Sequence, residues 1–444
     1  MKNGVIKFVL VAIIVTGSLQ LYSQRTEISG QFRPRYEYRH GYKTLAPDDA
    51  SAANFISQRT RLNLKYADDW FKIGLSLQNV GVWGETGTLS SSDVNGIALH
   101  EAWGEILFSK KFSLKAGRQE IIYDDHRIFG SVDWAQQGRS HDAAIVTFKP
   151  KDDCRFDLGF AYNSNMESNF KEYYFTSEYK TFQYIHWHRG FGDFGISVLI
   201  LNNGLPWINF SDTTGAKKPP EKIAYSQTLG TRLTYKKNKI SANGAFYLQT
   251  GKISADTTKD GKMESTRDLS GLYFSANFTY QVCTKFSAGA GFEYLSGNSM
   301  KDPSKTDEAF KPLYGTNHKF NGWMDYFYVG SHMQSVGLLD FYVPLTFKAD
   351  KFTATITPHF FQSAGELVGK DENGALVGYD KNLGTEVDLS LGYAISPSAT
   401  IKAGYSQMFA TSSMELLKGG NSENTNNWAW VMIDLTPTFF KSEK

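Results

Sequence analysis

Nine basic side chains stand out for the chemistry they could do together. Arg33, Arg35 and Arg39 alternate along one stretch, and Arg59, Arg61 and Lys65 along the next. Arg118, Arg127 and Arg139 follow within a polar span from 117 to 142. A guanidinium fork can pair both oxygens of a carboxylate, so a bank of arginines in a water-poor channel attracts carboxylates and repels cations. Glu37, Glu101, Glu105, Asp125 and Asp142 are interleaved with them, as acids that hold arginines open in a ladder would be. The bland alternative is that these pairs only satisfy one another inside a structural wall. A second group lies further on: His318, Trp323, Asp325 and Tyr326, where aromatic faces could stack on sugar rings and polar atoms could meet hydroxyls. Girdle or loop packing competes equally with that reading.

Catalysis and metal binding find less support. Of nine histidines, His186 and His188 fall on one face of a strand, but no third ligand stands at convincing spacing. No Gly-x-Ser-x-Gly elbow, phosphate-cradling glycine loop or His-Glu-x-x-His motif occurs. The sequence therefore predicts no enzyme and no cofactor. Asp and Asn in the long connections could hold Ca²⁺, but nothing fixes such a site. Cys154 and Cys283 are too few for a metal cluster or a disulfide scaffold. One disulfide is formally open, and two buried free thiols are the preferred reading.

What must position the arginines is a set of strands. From Glu27 to Arg39 one parity reads Glu, Ser, Gln, Arg, Arg, Glu, Arg, and the other Ile, Gly, Phe, Pro, Tyr, Tyr. Side chains alternate faces along a strand, so one face is charged and the other aromatic. Such segments recur to the C-terminus, giving 18 strand candidates, with 16 within the softness of the boundaries. Short turns alternate with long polar connections, which is the asymmetry of a transmembrane barrel with periplasmic turns and extracellular loops. Lipid offers no partner for edge N–H and C=O groups, so the sheet must close. The expected fold is all-β: a single antiparallel transmembrane β-barrel over 24–444. The connection 120–141 is expected to fold inward and narrow the pore, and 296–335 to form a long aromatic loop.

Composition agrees. The chain has 444 residues, 15% aromatic, with a formal net charge of +2. That balance excludes a nucleic-acid protein built on a basic field. A mean hydropathy of -0.37 excludes a bundle of membrane helices. The only long apolar run, Phe8 to Val15, follows Lys2 and Lys7 and precedes small residues, as in a secretory leader cut after Ser23. Lys2 and Lys7 are the only charges in 1–23, so removal leaves the 45 acidic side chains matched by as many basic ones. The predicted location is the outer membrane of a Gram-negative cell, in contact with lipid and lipopolysaccharide.

Several stretches resemble the alginate-export family of outer-membrane barrels. They are Arg59-Thr-Arg-Leu62, Gly117-Arg-Gln119 with Asp125 and Arg127, Trp134 to Asp142, and Leu313-Tyr-Gly-Thr-Asn-His-Lys-Phe on to Asp325. The processing region and the many Tyr and Phe give a Bacteroidetes-like look. The resemblance implies an 18-stranded monomeric barrel with an Arg-lined, electropositive conduit for a polyuronate, assisted by periplasmic export-complex proteins. It implies that Arg59, Arg61, Arg118, Arg127 and Arg139 face the conduit, with Asp125 and Asp142 holding them. The expected function is passive conduction of an anionic solute, export of an acidic polysaccharide being its specific form. The alternatives are an uptake or general porin for small anions or sugars, then a plugged binding or adhesion barrel.

Overall fold

Period-two alternation folds here as one closed antiparallel sheet. The computed structural model describes residues 24–170, 179–208, 221–255, 264–327, 336–371 and 373–442. The expected leader 1–23 and the stretch 328–335 of the long aromatic connection lie outside the described residues. The wall runs β1 (Arg25–His40), β2 (Ala53–Ala67), β3 (Phe71–Val82), β4 (Ala98–Ser109), β5 (Phe112–Gln119) and β6 (His141–Lys151). It continues with β7 (Cys154–Tyr162), β8 (Thr181–Phe191), β9 (Phe194–Ile208), β10 (Glu221–Lys237), β11 (Ile240–Ala255), β12 (Ser265–Gln281) and β13 (Phe286–Leu295). Then come β14 (Leu338–Tyr342 and Leu345–Ala349), β15 (Phe352–Gln362), β16 (Asn382–Ser396), β17 (Ala399–Ala410) and β18 (Asn426–Leu435 and Thr438–Lys441).

Twenty hydrogen-bonded segments make this sheet, but two of them only continue the segment before across Pro344 and Pro437. Proline has no N–H to give to a ladder, so each break follows from the ring. The wall therefore has 18 strands. Each strand pairs with its chain neighbour, and β1 closes the circle by pairing β2 on one side, Arg33 opposite Arg59, and β18 on the other, Tyr36 opposite Val431. No helix among the described residues is long and apolar enough to cross a membrane. Strands do the crossing.

The two faces separate as the parity requires. On β1, Arg33, Arg35 and Glu37 are buried while Phe32 and Tyr36 are exposed; on neighbouring strands Leu62, Phe112, Phe148 and Phe160 join the exposed set. An apolar exterior around a charged interior suits lipid outside and water or polar groups inside. Short turns are closed locally: the Asp68 carboxylate accepts the N–H groups of Trp70 and Phe71 at 2.7 and 2.8 Å, so two residues' worth of polar backbone is satisfied within the turn.

The hydrophobic core lies inside the barrel. Phe129, Phe182, Tyr184, Tyr314, Phe310, Tyr326 and Trp428 pack together there, brought by the wall and by two connections that fold inward, 120–140 and 308–327. Local structure in the long connections escaped the period-two pattern: a hairpin of Leu367–Lys370 with Leu376–Tyr379, and a short helix α1 (Ser412–Lys418). Both cysteines are free. Cys154 is buried, but Cys283 sits exposed in the turn after β12, which corrects the reading of two buried thiols. A short turn has nothing packed over it.

Candidate functional site

Segment 120–140 is fastened to the arginine face of β1 and β2 largely through its own carbonyl oxygens. Arg33 donates to the Asp133 carbonyl at 2.8 Å and to the Asp133 and Gln136 side chains at 3.2 and 3.1 Å. Arg35 donates to the Trp134 carbonyl at 2.7 Å and stacks on the Trp134 ring at 4.0 Å. Arg59 reaches Asp133 at 2.7 Å and the Gln136 carbonyl at 3.3 Å, and Arg61 the Gln137 carbonyl at 3.3 Å. The opposed register of Arg33 and Arg59 puts both forks on one turn of chain. Burial acts to raise the Asp133 carboxyl pKa, but the Arg59 and Arg33 guanidiniums outweigh it and hold the group below the usual carboxylate range.

Segment 308–327 meets an acidic wall and offers it N–H groups. Met324 N–H donates to Glu386 at 2.8 Å and Trp323 N–H to Asp388 at 3.1 Å. Gly322 makes this approach feasible: its φ is +78°, and a Cβ there would stand 2.7 Å from the Glu386 carboxylate. On β13 and β14, Glu293 and Asp340 accept from Asn321 at 3.0 and 3.2 Å. His318 pairs with Asp325 at 2.8 Å. Burial would raise the Asp325 pKa, but His318 and the Tyr42 hydroxyl bonded to it more than offset that and lower it.

The two segments are also joined to each other. Gly130 N–H donates to the Tyr314 carbonyl and Thr316 N–H to the His126 carbonyl, both at 2.9 Å. Arg127, buried, crosses from the first segment to Glu293 at 2.5 Å and Asn321 at 3.0 Å. Arg139 donates to the Gly315 carbonyl at 3.1 Å, and Trp134 stacks on His318 with centroids 4.5 Å apart. Together they form a partition across the lumen.

Cavities remain on both sides of it. On the long-connection side, about 540 Å³ is bounded by Arg35, Arg39 and Lys43 and by an equal number of acids, Glu37, Glu85 and Asp325. On the short-turn side, about 630 Å³ is bounded by Lys72, Lys115, Lys149, Arg155 and Arg232 against Glu105, Glu120 and Asp124. A third cavity of about 300 Å³ adjoins the second at Arg232. Among the described residues that line these cavities, Lys115 and Lys149 on the short-turn side have no carboxylate within ion-pair distance.

The residues singled out from sequence therefore scatter over distinct places. Arg33, Arg35 and Arg59 are on the inner wall but buried under the first segment. Arg39 and Arg61 are partly buried, Arg39 bonded to Glu37, and Lys65 is exposed on the inner parity of β2 opposite Glu27. Glu37 takes Arg35, Arg39 and the Trp428 indole. Glu101 accepts the Trp103 indole and the Glu120 N–H, and Glu105 pairs with Lys72. Asp125 accepts Arg232 at 3.0 Å. Arg127 and Arg139 bind the segments together. Arg118 and Asp142 need correction: they pair with each other at 2.9 Å on the outward parity, in register with Ala102, beside Leu114 and Val146, because their even numbers follow Phe112 and Phe148. Of the proposed sugar contacts, His318 and Asp325 border the long-connection cavity and Trp323 the 300 Å³ cavity. Tyr326 is fully buried, its hydroxyl on the Gly41 carbonyl.

Sequence reasoning missed Lys72, Lys115, Lys149 and Arg155, though each sits on the inward parity of its strand and the same counting would have found them; Arg232 falls on the charged parity of its strand from sequence but was not singled out as a site residue. It also missed the wall acids Glu293, Asp340, Glu386 and Asp388, whose role depends on loop approach. His186 pairs with Asp124 at 3.3 Å and His188 with Ser197 at 3.0 Å. No group of three or more His, Cys, Asp or Glu among the described residues is placed to hold a metal ion.

The family model described as alginate export matches residues 25–424. Solved structures with the same fold include Acinetobacter baumannii OccAB1, at 11% identity and a TM-score of 0.59, covering 94% of this chain and 97% of that one. Another is Acinetobacter baumannii OccAB4, at 14% identity and a TM-score of 0.57, covering 93% and 98%. A BenF-like porin from Pseudomonas fluorescens Pf-5 has 13% identity and a TM-score of 0.57, covering 93% and 99%. No curated protein matches the chain in sequence.

Proposed function

The chain belongs to the alginate-export family of outer-membrane barrels, transport proteins rather than enzymes, and from that premise we propose that it conducts anionic solutes across the outer membrane, an acidic polysaccharide moving outward being the specific cargo. The observation that carries this is the basic lining of the short-turn cavity: five basic side chains border it, and of these Lys115 and Lys149 have no carboxylate within ion-pair distance among the described residues, whereas Lys72, Arg155 and Arg232 are paired with Glu105, Asp157 and Asp125. Charge of one sign in a confined, low-dielectric mouth raises the local concentration of the opposite sign. That cavity opens toward the short turns, the periplasmic end, where an exported polymer or its periplasmic carrier proteins would meet the barrel.

A second reading, uptake of small anions or sugars, draws on the partition. Cavities of about 540, 630 and 300 Å³ lie within the range of small-molecule sites. A polymer would require the two inward segments to move aside much further than a small solute would.

The test is conductance of the refolded barrel in planar bilayers under a KCl gradient, with oligouronate then added on either side. Anion-selective steps blocked by the oligouronate are expected. Anion-selective steps without block favour the small-solute reading, and cation-selective steps overturn the proposal. A barrel that inserts but stays silent makes a plugged binding barrel the better account.

A further inference from the structure

We propose that the 300 Å³ cavity beneath segment 308–327 is a binding subsite for a single acidic sugar unit. The inference rests on the anion-conduction reading and assigns it a place. Phe320 and Trp323 of the inward segment supply aromatic surface, and Asn243 and Asn277 supply amides from β11 and β12. A sugar ring has the matching character: a C–H face that packs on aromatic rings, and hydroxyl edges that exchange hydrogen bonds with amides. The volume is at the lower end for small-molecule sites, so it suits one ring rather than a chain.

One cation, Lys319, gives the subsite its preference for an acid, with the Asp125-paired Arg232 at its entrance. Lys319 is exposed at this cavity, and its Nζ donates to the Asp125 carbonyl at 3.0 Å. A carbonyl satisfies one of three N–H bonds and none of the charge. No carboxylate among the described residues lies within ion-pair distance of that ammonium. The acids that share the cavity are already matched: Asp125 to Arg232 at 3.0 Å, Glu293 to Arg127 at 2.5 Å. Arg232 borders both this cavity and the cationic one beside it. An anion drawn in from the short-turn side therefore passes Arg232 to reach Lys319. There the carboxylate meets the uncompensated charge while the ring meets Trp323.

Single-channel recording tests this with glucuronate and glucose as the two probes. The wild-type barrel should show brief current blocks with glucuronate and far fewer with glucose at equal concentration. Lys319→Gln and Trp323→Ala should each weaken glucuronate block by roughly 10-fold or more. Because the Trp323 backbone anchors its segment, Asn243→Leu on the barrel wall serves as a variant that leaves every segment contact in place, and should weaken block several-fold. Equal block by glucose and glucuronate, or block indifferent to all three substitutions, overturns the subsite. Reversal potential in plain KCl, with no sugar present, separates the two levels: an anion-selective barrel with indifferent block loses the subsite alone. A cation-selective barrel loses the conduction reading as well.

Discussion

The two inward segments are held by opposite chemistry. Segment 120–140 gives carbonyl oxygens to the guanidiniums of β1 and β2, while segment 308–327 gives N–H groups to the carboxylates of β16. Each wall's sign matches the end of the peptide dipole presented to it. Buried charge that is already satisfied by backbone is no longer available to a solute. Arg33, Arg35 and Arg59 look from sequence like a selectivity filter, yet they act first as anchors. The charge a solute meets is what remains, and among the described residues it includes Lys115 and Lys149 of the short-turn cavity.

Breaking the first anchor should have the largest effect. Arg33→Ala with Arg59→Ala leaves Asp133 and two carbonyls without their donors; Asp133 itself is exposed, so the cost is chiefly that of the unsatisfied carbonyls, about 1–3 kcal/mol each. Open-state conductance should rise several-fold as segment 120–140 leaves the wall, with a lower melting temperature. Conductance at the wild-type level would show that the segment is held elsewhere. Next is the acidic anchor. Glu386→Leu strands the Met324 N–H at a cost of about 1–3 kcal/mol, whereas Glu386→Gln keeps an acceptor oxygen and should cost less. Equal thermal destabilisation by Leu and Gln would remove the hydrogen bond from the account.

Acidity should affect the two segments differently. Asp133 is held below the ordinary carboxylate range, so its contribution is complete above about pH 4 and is lost as pH falls below that. Lys418 on α1 donates to the Tyr326 carbonyl of the second segment, and burial pushes its ammonium down to about 7. An unfolded lysine stays protonated to about pH 10, so packing around Lys418 should strengthen as pH rises from about 7 toward 10. Conductance noise and melting temperature recorded from pH 3 to 10 should show loosening at the acid end and stiffening above neutrality. The smallest effect belongs to the outward pair. Arg118→Gln with Asp142→Asn should change stability by no more than about 1 kcal/mol and leave ion selectivity untouched, since both side chains are exposed on the outer face. A selectivity change there would mean the pair reaches the conduit after all.

Most of the wall was legible because period two reports which face a side chain takes, and a charged parity against an aromatic one leaves little choice of architecture. Arg118 and Asp142 were misplaced because they were assigned by motif rather than by parity; counting from Phe112 and Phe148 sends both outward. The inward course of 120–140 was expected, but not which groups would receive it. Anchoring through Trp134 and Gln136 carbonyls leaves no mark in side-chain types. Gly322 carried a signal that the pattern could not decode, since its need for a positive φ beside Glu386 exists only once β16 is in place. The basic cavity was missed for a plainer reason: its lysines stand singly on β3, β5 and β6, and it is the pairing of these consecutive strands through β4, not any one segment's pattern, that gathers them.

The most direct measurement compares reversal potentials under a KCl gradient for the wild-type barrel and for Lys72→Gln, Lys115→Gln, Lys149→Gln combined. The account predicts an anion-selective wild type whose reversal potential moves toward zero when those three charges are removed. A wild type that selects cations, or a triple variant indistinguishable from it, would contradict the claim that the short-turn cavity sets the charge of what passes.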